Sequence, residues 1–200
     1  MARFCVFCFF FYFFCFCFQK QMQLLVRSYV VSGDFDYILT KPVSALFRSL
    51  FGGSDILDLS IIFLSIGFIL FSAGKIESIS LFGATLYTVL VFNAFLIALA
   101  FHILVLSIGV LTTEVDNTIM LYRDITQMGR VPVDIYLEPL RSFLTFAIPV
   151  GIMMTFPAKA LMGLLSAQIA LVSLGIGLLF FLASLWFWRF SLRHYSSASS

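Results

Sequence analysis

Long apolar runs, separated by short stretches that collect nearly all the charge, constrain this chain more than any motif. Five stand out: Phe4–Phe18, Ile56–Ala73, Ile79–Leu111, Phe143–Ala158 and Leu161–Trp188. A helix rises about 1.5 Å per residue, so about 20 apolar residues cross the hydrocarbon core of a bilayer. The second and fourth runs sit near the lower limit, while the third and fifth can tilt or extend beyond the lipid. Hydrophobic residues make up 62% of the chain and charged residues 11%. Soluble domains average about 45–50% and 25%, so a fold in water could not hide this much apolar surface. The sequence therefore predicts an all-α, polytopic transmembrane bundle of about five spans, one membrane domain over residues 1–200.

The polar segments 19–55 and 112–141 keep spaced apolar residues, such as Tyr37, Ile38, Leu39 and Leu46, Phe47, Leu50. They read as amphipathic pieces at the membrane interface. The links at Gly74–Ser78 and Ala158–Ala160 are tight. Lys20, Arg27, Lys41 and Arg48 lie in the first polar segment, Arg123, Arg130 and Arg141 in the second, and Arg189 and Arg193 in the tail. The tight links hold only Lys75 and Lys159. Because Lys and Arg concentrate on the cytoplasmic side, both polar segments and the tail 189–200 are expected inside, making a multi-pass protein of the cytoplasmic membrane. The N-terminus then falls outside. Read as a signal peptide, the first run lacks a small-residue cleavage site, since Phe18-Gln19-Lys20-Gln21 follows it. A short genuine span is expected there, with one helix missing upstream.

Chemistry-bearing residues are few. Cys5, Cys8, Cys15 and Cys17 all lie in the first run. The Cys5-Val6-Phe7-Cys8 spacing lacks the second ligand pair a zinc site needs, and the thiols read as small lipid-facing hydrophobes. No Gly-x-x-x-x-Gly-Lys-Ser/Thr loop is present, so the chain cannot hydrolyse ATP in the usual way. Asn93, His102 and Gln168 fall inside apolar runs and are candidates for a pathway lining or for hydrogen bonds between helices. Asp55 and Asp58 suit a helix start. Glu114, Asp116 and Asp124 read as a solvated face. Small residues four apart, Ala94 with Ala98 and Gly163 with Ala167, allow close helix contact. Trp186, Trp188 and Tyr195 fit an interfacial aromatic belt. No catalytic residue, metal site or nucleic-acid partner is expected.

One segment carries a recognisable pattern, Gly33-Asp34-Phe35-Asp36-Tyr37-Ile38-Leu39-Thr40-Lys41-Pro42. It resembles the Gly-x-x-Asp-x-x-Leu-x-x-Pro signature that follows the second helix of ABC-2-type permeases. The stretch Tyr136–Pro149, ending Phe146-Ala147-Ile148-Pro149, is similar to that family's entry into its penultimate helix, and the C-terminal run from Trp188 looks like its closing segment. The resemblance covers most of the chain from about Val31 onward. It implies a transporter subunit with no cofactor of its own, ATP and Mg being held by a separate ABC ATPase. It further implies a homodimer, or a heterodimer with a related permease, in the bilayer. Gly33, Asp34, Asp36, Leu39, Lys41 and Pro42 would form the elbow that receives the ATPase. The alternative is a truncated or non-transporting relative with an assembly or scaffold role.

Overall fold

Ser80 is the second residue of the third apolar run, and its hydroxyl accepts a hydrogen bond from the Gly83 N–H at 2.9 Å. That satisfies one of the donors a helix start leaves open. The computed structural model describes residues 35–42, 44–51, 63, 66–67, 70–71, 74, 80–112, 115–129 and 131–195. Every regular element among them is helical. Two short helices, α1 (Phe35–Leu39) and α2 (Ala45–Phe51), precede the long α3 (Leu81–Thr112). Then come α4 (Val115–Met128) and a 3₁₀ turn at Val133–Ile135. A broken stretch follows: α5 (Leu140–Ser142), a π-helical turn at Phe143–Ala147, α6 (Val150–Met154) and α7 (Phe156–Leu161). The last element is α8 (Ala167–Arg193).

Among the described residues, α3 and α8 are long and apolar enough to cross a membrane. At 32 residues, α3 is about 48 Å long. The run Phe4–Phe18 lies outside the described residues. Of Ile56–Ala73, only Phe63, Ile66, Gly67, Leu70 and Phe71 are described, and all are helical.

α3 and α8 run in the same direction. Asn93 of α3 meets Ser173 and Gly177 of α8. Further along both helices, Phe101 meets Phe180 with ring centroids 4.9 Å apart. The contact face of α8 is built from Ala170, Ser173, Gly177, Ser184, Trp188 and Ser191, all buried. Each serine hydroxyl on it donates to a carbonyl in its own helix: Ala170, Phe181 and Phe187. The face is therefore narrow without an open polar group, which lets the backbones approach. The core between these helices and α6 includes Ala94, Ile97, Ile103, Leu106, Ile152 and Met153.

α4 turns back along α3. Its Tyr122 lies 5.7 Å from Phe101 and 5.1 Å from His102 by ring centroids. Beyond α4, Gly129 packs against Val150 and Met154, and the Val133 N–H donates to the Thr155 hydroxyl at 3.3 Å. The Ala160 carbonyl then sits beside Gly83, near the start of α3. The segment 112–141 thus travels from the end of α3 back to its beginning. It is not a surface piece confined to one end, as the charge pattern suggested.

Three further expectations are corrected. The run Phe143–Ala158 is not one continuous helix, because Ile148 is extended ahead of Pro149, and Pro157 has no N–H to give to the helical ladder. Arg141 and Lys159, placed on opposite sides of the membrane by the charge count, both bind Asp134, at 2.8 Å and 2.6 Å. The fifth helix begins at Ala167 rather than Leu161 and continues to Arg193, so Arg189 and Arg193 are helical. Its late start has a local cause. Gly163 takes φ of +70°, where its N–H bonds the Ala160 carbonyl and the Leu164 N–H bonds that of Lys159. This is a Schellman end to α7, and Ser166 then caps α8 on the Ile169 N–H at 3.4 Å. Gly163 and Ala167 consequently share no helix face.

Candidate coupling elbow and polar seam

The elbow is held by an aromatic anchor. Asp36 sits in the first turn of α1, where a carboxylate complements the positive end of a helix. The Thr40 N–H and hydroxyl bond the carbonyls of Asp36 and Tyr37, and Ser44 caps α2 on the Phe47 N–H. Phe35 is fully buried. It meets Trp188 edge-on at 6.3 Å and Tyr195 at 5.2 Å. Around it Tyr37, Leu39, Lys41 and Pro42 are exposed, and Asp36 is half-buried. Gly33 and Asp34 lie outside the described residues. Phe35 itself went unrecognised in the sequence. The available signal was an aromatic ring between two aspartates in an otherwise polar segment.

Of the three polar residues singled out within apolar runs, two are interior. Asn93 is 3% exposed and its Nδ2 donates to the Ser173 carbonyl at 3.0 Å, joining α3 to α8. His102 is buried and its Nδ1 lies 2.6 Å from the Ala98 carbonyl. A carbonyl only accepts, so that nitrogen carries the hydrogen. The ring thus bonds its own helix and turns an edge toward Tyr122. Gln168 is exposed in the first turn of α8, not at mid-depth.

A third feature escaped sequence reasoning. One oxygen of Asp134 accepts from Arg141 at 2.8 Å and the other lies 2.6 Å from the Lys159 ammonium. No local pattern announces it, since the three residues come from separate turns. Among the described residues, no three His, Cys, Asp or Glu side chains converge as a metal site requires. The chemistry available at these places is positional: an exposed elbow at one end of the bundle, a hydrogen-bonded seam within it, and an ionic knot at the other end.

A sequence profile described as ABC-2 family transporter protein matches residues 2–199. The chain belongs to the ABC-2 transporter family. No curated protein and no solved structure matches it. Membership makes it a membrane permease of the ABC transporter class. The features of this chain sort by end. α1 and its exposed residues lie where α3 and α8 finish, together with Arg189 and Arg193. The Asp134 knot lies where α3 begins. α4 passes between the two ends with Arg123 and Asp124 exposed on its outer face, 3.9 Å apart.

Proposed function

We propose that this ABC-2 permease is the membrane subunit of an ATP-driven exporter, powered by a separate ATPase subunit and paired with a second copy or a related permease. The observation that carries the reading is the anchored elbow. Phe35 fixes α1 to Trp188, so force applied to exposed Tyr37, Leu39, Lys41 or Pro42 passes directly into α8. Lys41, Arg48, Arg189 and Arg193 gather at this end, which suits the cytoplasmic side. ATP and Mg bind the partner, and the permease itself makes or breaks no covalent bond.

In this reading the chain crosses five times: at Phe4–Phe18, at Ile56–Ala73, through α3, through α4 and the turn to Ile135, and through α8. The hairpin 140–161 enters from the outer side and returns to it. Tyr122 meets α3 at His102, about 15 Å inside the end of that helix, so in this reading neighbouring Arg123 and Asp124 lie alongside α3 rather than past its end. Charged side chains there are costly against lipid. They face the paired subunit or a water-filled path between the two.

The test is co-expression of the tagged chain with the ATPase encoded beside it, followed by detergent-stable co-purification. Wild type is expected to retain the ATPase, and Asp36→Lys combined with Pro42→Gly to lose it while still inserting. A wild-type chain that inserts correctly and retains no ATPase would point instead to a non-transporting relative.

A further inference from the structure

We propose that Asp134 is a positioning residue that latches the hairpin 140–161 across the far end of the bundle, and that export requires its carboxylate to let go. The inference rests on the reading above, in which that end is the outer mouth. One carboxylate holds both arms: Arg141 at the hairpin's start and Lys159 near its end, at 2.8 Å and 2.6 Å. A single event therefore frees both. Lys159 is the only residue of α7 that is not buried, with its side chain 20% exposed. An ammonium in that apolar turn needs a counter-charge, and Asp134 supplies it. Asp134 is in turn held in place by its neighbours, since the Val133 N–H bonds the Thr155 hydroxyl and Gly151 packs on the Val133 side chain.

What the latch covers is also defined. Thr155 lies in the returning arm of the hairpin, between α6 and α7, has no exposed surface, and faces the segment that carries Asp134. Apolar contacts alone would hold the hairpin down without distinguishing one charge state from another. An ion pair whose acid is 36% exposed can be released to water and re-formed at each cycle.

Thr155 is the natural reporter. The four cysteines, Cys5, Cys8, Cys15 and Cys17, are replaced by serine and Thr155→Cys is introduced into the full chain. Labelling by a membrane-impermeant maleimide is timed on intact cells and on inside-out vesicles. Asp134→Asn and Lys159→Gln are each expected to speed labelling from the cell exterior about tenfold, equivalent to about 1.4 kcal/mol. The double variant should be no faster than either single one. Asp134→Glu, which keeps the charge, should stay near the parent. Rates equal to the parent in both neutral variants overturn the latch. An Asp134→Glu rate as fast as that of Asp134→Asn also overturns it, because that outcome reports packing rather than charge. Should Asp134→Asn fail to insert, Lys159→Gln decides alone. Acceleration seen only in inside-out vesicles leaves the latch standing and removes the outward orientation of the proposed exporter.

Discussion

Asn93 of one long helix packs directly on Gly177 of the other, and each makes sense only with the other. A methyl group on Gly177 would fall on the Asn93 amide, displacing it from the Ser173 carbonyl. Overpacking of this kind costs about 1–3 kcal/mol. Gly177→Ala is therefore expected to lower the thermal unfolding midpoint in detergent, and Asn93→Ala in the same chain to recover part of the loss. Recovery would be absent if the glycine mattered only for backbone freedom. Gly163 presents the opposite case. Nothing lies within 4 Å of the position its Cβ would take, but its φ is +70°. Gly163→Ala should cost about 1–2 kcal/mol through conformation alone, with no neighbour whose truncation relieves it. Asn93 was visible in the sequence as a polar residue in an apolar run. Its partners were not, because the Ser173 carbonyl lies 80 residues away, Gly177 further still, and only the register of two packed helices brings them together.

At the level of elements, the apolar runs located α3 to within two residues at its start and one at its end. A run of that length and composition has few alternatives to a long helix. The run Phe143–Ala158 was misread for an equally physical reason. A crossing helix and a broken hairpin can both be built from apolar residues, and composition does not separate them. Pro149 and Pro157 were the warning, and Ser80 and Ser166 marked two helix starts that hydropathy leaves blurred. In the candidate elbow, the resemblance drew attention to Asp36 and Pro42 but not to Phe35, since burial inside a polar segment depends on what docks there. Phe35→Ala is expected to cost about 3–5 kcal/mol locally. It should free α1 from α8 without affecting insertion, so that limited chymotryptic cleavage after exposed Tyr37 accelerates while the core of α3 and α8 remains intact. Unchanged cleavage would mean that Phe35 does not anchor the elbow.

Across the whole molecule, counting cations assigned ends to loops and went astray where two loops meet on one carboxylate. Arg141 and Lys159 each looked like evidence for a side, yet Asp134 neutralises part of their charge and puts them together. Cysteines introduced one at a time at Leu137 and Met162, both exposed, should label from the same side of the membrane, and a cysteine at Lys41 from the other. Labelling of the first two from opposite sides would restore a complete crossing between them. The shared direction of α3 and α8 has a consequence beyond packing. Their backbone dipoles point the same way, so two negative helix ends lie beside each other at the elbow. Arg193, in the last turn of α8, offsets that crowding as well as marking a side for membrane insertion. Reversing its charge to test orientation would also weaken the last turn of α8, which lies between Trp188 and Tyr195, so a chain inserted the right way round could still lose the anchoring of α1.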